Sequence, residues 1–245
     1  MIGSDILFFE ILPSTNTYAA NLLRSKEVPE GTIIRTMFQS SGRGQMGNGW
    51  ESESGKNLLI SIILYPKTTS VSDQFLISMA ISLGISDFLD KKLSGCKIKW
   101  PNDIYVKNDK IAGLLIENSV IDNSIISSIA GIGLNINQRR FLSDAPNPIS
   151  MSMITGKEYN IDLCLEELSE ALDKRYYLLI SGKYNIIRND YISRLFRFRE
   201  WSYYRDSKGT FKGRLISVSE AGMLIIEKSA GESAEYSFKE VDFVP

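Results

Sequence analysis

The stretch Asn57-Leu58-Leu59-Ile60-Ser61-Ile62-Ile63-Leu64-Tyr65 constrains the fold of this chain most. It is almost unbroken in apolar side chains, rich in β-branched ones, and closed by Pro66, the pattern of a strand covered on both faces. Two shorter strands lead up to it, over residues 6–11, ended by Pro13, and over residues 32–38. Between them Ser14-Thr15-Asn16 offers capping side chains ahead of a helix over residues 18–24. A strand feeding a helix N-terminus presents free N–H groups and small hydroxyls. These three residues therefore serve equally well as caps or as holders of a polar small molecule.

The strand at 32–38 delivers the chain into Gln39-Ser40-Ser41-Gly42-Arg43-Gly44-Gln45-Met46-Gly47-Asn48-Gly49-Trp50. Four glycines in eight residues let main-chain N–H groups approach an anion closely, and Arg43 adds a rigid fork of donors suited to phosphate or carboxylate. The same composition also describes a mobile surface loop whose glycines only permit turns.

Beyond Pro66, Phe75, Leu76, Met79, Leu83, Ile85, Phe88 and Leu89 recur at near-helical spacing and predict a long core helix over residues 72–93. In Lys97-Ile98-Lys99-Trp100-Pro101-Asn102-Asp103-Ile104-Tyr105-Val106, two short strands flank a Pro-Asn-Asp corner that gathers a lysine, an amide and a carboxylate. Lys99 and Asp103 read equally as a plain surface ion pair of little energetic worth. Lys107-Asn108-Asp109-Lys110 makes a polar hairpin tip, and Ile111 to Glu117 is the return strand. The strand that starts at Ser124 enters Gly131-Ile132-Gly133-Leu134-Asn135, where glycine alternates with apolar residues as if a ligand or a neighbouring element must come close. Residues 138–150 are loop-like and placed to close over a site.

Asp162 caps a helix whose Leu165, Leu168, Leu172, Tyr176 and Leu179 share one face, with Glu170 and Lys174 paired on another; a further helix covers residues 184–195. Near Trp201 the texture changes to short strands divided by Lys208-Gly209, Glu220-Ala221-Gly222 and Ala230-Gly231-Glu232, as in a small antiparallel barrel. A boundary near residue 200 separates two expected domains, 1–199 and 200–245.

Composition narrows the chemistry. With no histidine in the chain, Ser-His-Asp and Cys-His nucleophile schemes and histidine metal sites are excluded. Lys+Arg of 28 against Asp+Glu of 29 asks for no nucleic acid or anionic membrane, so anion binding rests on local clusters. Cys96 and Cys164 lie far apart and form no CxxC pair, and are read as buried thiols in a reducing compartment. The N-terminal residues carry no signal-peptide pattern and no apolar run reaches membrane-spanning length, so a cytoplasmic location is expected.

In content and order, Ser14-Thr15-Asn16, the Gln39 to Trp50 loop, Lys99-Trp100-Pro101-Asn102-Asp103, Lys110-Ile111-Ala112-Gly113 and Gly131-Ile132-Gly133-Leu134-Asn135 resemble biotin protein ligases, over nearly the whole chain. The resemblance implies an α+β fold, a mixed β-sheet flanked by helices of the class II aminoacyl-tRNA synthetase-like kind, with a small SH3-like C-terminal barrel. It also implies an enzyme that uses ATP and Mg²⁺ to make biotinyl-5′-adenylate and passes biotin to a lysine of a carrier domain. Such chemistry suits a chain without histidine. Joining a carboxylate to the α-phosphorus of ATP demands charge neutralisation and alignment more than proton transfer.

Carried onto this sequence, the resemblance implies that Ser14, Thr15, Asn16, Gln39, Gly42, Arg43, Lys110 and Gly113 bind biotin. Gly44, Gly47, Trp50, Asn102, Asp103 and Asn135 would bind the nucleotide, with Asp103 also meeting Mg²⁺. Lys110, Arg43, Asp103 and Lys99 are the expected catalytic set, Lys110 the chief electrophilic stabiliser, and residues 138–150 would cover the adenine. Where many relatives carry GRGRxGRxW, this chain has Gln45 and Asn48 in place of two arginines, which weakens the expected hold on the adenylate. No N-terminal helix-turn-helix precedes the first strand, so DNA binding is not expected; the chain is expected to be a monomer or homodimer. The alternatives are a lipoate or octanoate ligase or transferase of the same fold, against which KWPND argues, and a non-catalytic biotin-binding protein.

Overall fold

A computed structural model describes residues 1–143 and 147–244. The described chain runs β1 (Ile6–Leu12), α1 (Thr15–Ser25), β2 (Ile33–Gln39), β3 (Leu58–Leu64), α2 (Phe75–Asp90), β4 (Cys96–Lys99), β5 (Asp103–Val106), β6 (Asp109–Ile121) and β7 (Ser124–Leu134). There follow α3 (Met151–Thr155), α4 (Ile161–Ile180), α5 (Tyr184–Ser193), β8 (Trp201–Asp206), β9 (Gly209–Val218), β10 (Leu224–Lys228), β11 (Ser233–Tyr236) and β12 (Asp242–Phe243). Strands β1 to β7 form one sheet in the order β1-β2-β3-β7-β6-β5-β4. β1 lies parallel to β2 and the other neighbours are antiparallel, so the sheet is mixed.

The apolar run between Asn57 and Tyr65 is β3, buried along its whole length near the middle of this sheet. Its alternate residues serve two layers. Leu58, Ile60, Ile62 and Leu64 join the large core built with α2, α4 and α5, whereas Ile63 joins a smaller cluster beneath α1 with Ala19, Ile34 and Ile129. Helices therefore cover both faces, and this chain has a mixed α+β fold. Strands β8 to β12 form a second, antiparallel sheet in the order β11-β10-β9-β8-β12, consistent with an SH3-like unit. No helix among the described residues is long and apolar enough to cross a membrane.

Several local expectations are corrected. The α2 helix is shorter than 72–93, because a separate 3₁₀ turn over Val71–Asp73 precedes it. The cap of α4 is Asn160, whose Oδ1 accepts from the N–H groups of Asp162 and Leu163; Asp162 sits in the first turn and pairs with Arg35 instead. Glu170 and Lys174 form no ion pair. The hairpin tip is confined to Lys107 and Asn108, with Lys107 in the left-handed region at φ 57°, so Asp109 and Lys110 already belong to β6. Lys99 and Asp103 are register partners across β4 and β5, but the carboxylate of Asp103 pairs with Lys110.

Candidate active site

On the α1 side of the main sheet, the strand registers align Leu59, Gly133, Gly113, Asp103 and Lys99 in one transverse row across β3, β7, β6, β5 and β4. The adjacent row holds Ser61, Gly131 and Leu115. The glycines leave a shallow bed on the sheet, and the structure shows what fills it. A Cβ on Gly133 would collide with the Trp50 indole and one on Gly131 with the Asn16 amide, while one on Gly113 would stand 2.9 Å from Trp50 Cζ3 and 3.2 Å from Lys110 Cε. The glycine alternation of the sequence thus admits side chains of the chain itself, from the loop and from α1.

Lys110 reaches this face through a β-bulge. Ile104 pairs with Ala112, yet Tyr105 pairs with Lys110, so Ile111 is an extra residue on β6. Strict alternation would set Lys110 on the face of Ala112; the bulge moves it to the face of Asp103 and Gly113. There its Nζ lies 2.7 Å from Asp103 Oδ1 and 5.6 Å from the centroid of the Trp50 ring. Its backbone is held from the other side, where the Lys110 N–H donates to Asn147 O at 2.7 Å and Lys110 O accepts from Ile149 N at 2.9 Å.

The start of α1 forms the polar end. Ser14 is the N-cap, and its hydroxyl faces the Thr17 N–H at 3.5 Å. Thr15 donates to Gln39 Oε1 from its backbone N–H at 2.8 Å and from its hydroxyl at 3.1 Å. Ser61, not singled out in the sequence, stands 2.7 Å from Thr15 Oγ1 and donates to Asn16 Oδ1 at 2.6 Å. The Asn16 amide in turn donates to Leu115 O and, at 2.8 Å, to Glu117 Oε2. Capping and site-building are both performed by the same residues.

The loop from Gln39 to Trp50 folds back as a small hairpin. Trp50 N donates to Gly42 O at 3.0 Å and Gly44 N to Asn48 O at 2.6 Å, with Arg43 bridged to Gly49. Arg43 is ion-paired with Glu117. At the other corner, Trp100 Nε1 donates to Gly222 O at 2.9 Å, Tyr191 donates to Pro101 O at 2.9 Å, and the Asn102 amide donates to Leu114 O.

These elements enclose a cavity of about 510 Å³. Ser14, Thr15, Asn16, Gln39, Arg43, Gly44, Trp50, Lys99, Asn102, Asp103, Lys110 and Gly113 of the expected set all line it. Phe238, Lys239, Val241, Asp242 and Phe243 of the second sheet complete its wall, contacts for which the sequence carried no local signal. Four basic side chains, Arg43, Lys99, Lys110 and Lys239, face two carboxylates, Asp103 and Asp242, so the cavity favours an anion. Partial burial, reinforced by the nearby cations Arg197 and Lys110, holds the Lys99 ammonium below the ordinary lysine range, although Asp103 opposes the shift. Its Nζ lies 3.3 Å from the Tyr105 hydroxyl and 5.4 Å from the Phe243 ring centroid.

A second cavity, of about 730 Å³, lies against the first, and Gln39, Asn48, Gly49, Trp50 and Lys110 line both. Gly42 and Asn135 border the second cavity and not the first. Asn135 is 2% exposed; its Nδ2 donates to Ile149 O at 3.0 Å, while its Oδ1 has no partner among the described residues. Gly47 borders neither cavity and, at φ 84°, shapes the loop turn. Of the 138–150 loop expected over the nucleotide, residues 144–146 lie outside the described residues. Phe141, Ser143 and Pro148 line the second cavity, and Glu51 accepts from the Leu142 and Ser143 N–H groups at 2.7 Å each.

Known proteins resemble this chain in sequence and in fold. Residues 8–137 match the biotin/lipoate A/B protein ligase family. The chain is 28% identical to the bifunctional ligase/repressor BirA of Bacillus subtilis (strain 168), over 97% of this chain and 74% of that protein. It is 26% identical to the biotin–[acetyl-CoA-carboxylase] ligase of Paracoccus denitrificans, over 89% of this chain and 92% of that one. In fold it resembles the biotin protein ligase from Aquifex aeolicus solved in complex with biotin and ATP, with a TM-score of 0.81 and 23% identity over 98% of this chain and 99% of the other.

Proposed function

The chain belongs to the biotin/lipoate A/B protein ligase family, and from that premise we propose that it is a biotin protein ligase that forms biotinyl-5′-adenylate and transfers biotin to a lysine of a carrier domain. The observation that carries this reading is the pair of cavities meeting at Lys110 and Trp50. Joining a carboxylate to the α-phosphorus of ATP needs the two held side by side with a cation between them, and adjoining cavities that share a lysine provide that.

In this reading the ring system of biotin lies among Ser14, Thr15, Asn16 and Gln39, and the network of the last three with Ser61 fixes their donors and acceptors before the ligand arrives. The carboxylate attacks the α-phosphorus of ATP and the bond to the bridging oxygen breaks, releasing pyrophosphate. Lys110 stabilises the charge gathering between carboxyl and phosphate, and Arg43 holds the adenylate beneath the loop. Asn135 Oδ1, unpartnered among the described residues on the wall of the second cavity, suits the exocyclic amine of adenine, a donor. In the second step the acceptor lysine amine attacks the acyl carbon, and AMP leaves.

Magnesium fits as an ion carried mainly by ATP. Among the described residues no three acidic, histidine or cysteine side chains gather to hold a metal. Asp103, with Asn102 beside it, would give the sparse protein ligation usual for Mg²⁺ on a nucleotide, and the ion would supply neutralisation of phosphate charge. We take residues 1–199 as the catalytic domain and 200–245 as an SH3-like domain that walls its site. A cytoplasmic setting suits the two buried free thiols, Cys96 and Cys164.

ATP–pyrophosphate exchange tests the reading. Biotin is expected to support exchange in the wild-type protein, with the label then passing to a biotin carrier domain, and Lys110→Ala is expected to abolish it. Exchange with lipoate but not biotin, or with neither, refutes the proposal.

A further inference from the structure

Glu117 was not among the residues expected at the site, yet its side chain is tied to both ends of it. One oxygen accepts from Asn16 Nδ2 at 2.8 Å and the other pairs with the guanidinium of Arg43. Asn16 is itself fixed by Ser61 and by Leu115 O, and it packs where Gly131 leaves room. The carboxylate is thus positioned by the sheet, and the arginine comes to it from the loop. Arg43 has one further partner, Thr17 Oγ1 at 3.4 Å.

We propose that Glu117 is a positioning residue for the adenylate-forming reaction, a built-in anion that parks Arg43 at the cavity rim until the substrate anion takes its place. The inference rests on the ligase reading for its substrate and on geometry alone for the parking. Arg43 lines the cavity while its guanidinium is committed to Glu117. The pair is 44% and 39% exposed, so solvent weakens it and a phosphate can compete. The hairpin bonds of Trp50 with Gly42 and of Gly44 with Asn48 are already formed with the pair in place. Exchange of partners therefore moves one side chain and leaves the loop backbone where it is. A second consequence concerns Gln45 and Asn48, which stand where many relatives have arginine. Arg43 is the only cation on this loop, so whatever holds Arg43 governs how firmly the loop grips the adenylate.

Glu117→Gln separates this role from a merely structural one. The glutamine carbonyl still accepts from Asn16, while its amide faces Arg43 without charge. A parking carboxylate competes with the adenylate for Arg43, so its removal is expected to slow adenylate release by about two- to fivefold, the range of a half-exposed ion pair. A carboxylate that only braced the loop would give the opposite sign, with faster release. A second measurement needs no substrate. Trypsin cleavage after Arg43 in the empty protein is expected to quicken several-fold in Glu117→Gln, with Glu117→Asp in between. Unchanged or faster adenylate release, or unchanged cleavage, overturns the proposal. If the wild-type protein forms no adenylate from biotin, the ligase reading fails, and unchanged cleavage still overturns the hold of Glu117 on Arg43 in the empty protein.

Discussion

Lys99 was legible in the sequence as part of a polar corner, but its partner was not. Spacing placed Asp103 opposite it, and the register agrees; the carboxylate nevertheless pairs with Lys110, because a bulge turns that lysine onto the same face. A one-residue bulge leaves no trace in a period-two pattern, so composition alone reads Lys110 as part of a polar hairpin tip and only the family resemblance puts it in the site. Forming no ion pair among the described residues, Lys99 sits against Tyr105 and Phe243 with its ammonium held below the ordinary lysine range by burial. A lysine with a lowered pKa loses its proton earlier than usual as pH rises, so a phosphate contact made by Lys99 weakens on the alkaline side. KM for ATP is expected to climb with pH below the ordinary lysine value of about 10.4. Lys99→Arg keeps its charge throughout and is expected to flatten that climb, whatever its effect at neutral pH. A pH profile of KM in the two proteins checks this, and identical profiles contradict it.

At the scale of elements, the strands and helices were legible wherever burial was one- or two-sided along a whole segment. β3 announced itself by its unbroken apolar run, and α4 by the stripe of Leu165, Leu168, Leu172, Tyr176 and Leu179, all of which are buried. Loop-to-loop links were not legible, since they depend on single long side chains whose reach no pattern encodes. Glu51 is such a link: directly after Trp50, it accepts the N–H groups of Leu142 and Ser143 and so couples the glycine-rich loop to the loop expected over the nucleotide. Burial alone would raise its pKa, but the Ser143 side chain and the two amides outweigh it and hold the carboxyl below the ordinary range. The link is therefore intact at neutral pH and is lost only as acid titrates the carboxylate through that lowered value. Glu51→Ala removes two charge-assisted bonds of about 1–2 kcal/mol in total at a half-exposed site. That corresponds to a rise in KM for ATP of roughly five- to thirtyfold, with biotin affinity nearly unchanged. Calorimetric titration of biotin beside the steady-state KM for ATP distinguishes this from general loss of folding, which would weaken both.

For the whole molecule, the change of texture near residue 200 marked the second sheet correctly, yet nothing in it disclosed that this sheet closes the site. The reason lies in packing. Tyr204, Leu215, Val218, Leu224, Ile226, Tyr236 and Val241 belong to the same continuous core as α2 and β4. The contact is specific at the Trp100 corner, where the indole donates to Gly222 O and meets the Phe238 ring with centroids 6.1 Å apart. Gly222, at φ 87°, packs so closely on the Phe75 ring that any side chain there would strike it. The corner that presents Asn102 and Asp103 is thus braced by the element that supplies Phe238, Lys239 and Asp242 to the cavity wall. Trp100→Phe keeps the aromatic packing and deletes the one bond, leaving a buried carbonyl without its donor. The expected cost is about 1–2 kcal/mol, or a fall in Tm of roughly 2–8 °C for a chain of this size. Because the core is continuous, unfolding is expected to remain a single transition rather than to split into two. The wall and the corner should loosen together, raising KM for ATP several-fold while biotin affinity holds, since Ser14, Thr15 and Gln39 are anchored by α1 and β3 and not by the second sheet. Thermal melts followed at once by far-ultraviolet circular dichroism and tryptophan fluorescence test the first part. Two separated transitions in the wild-type protein would mean that the second sheet is an independent appendage, and its place in the site would lose its physical basis.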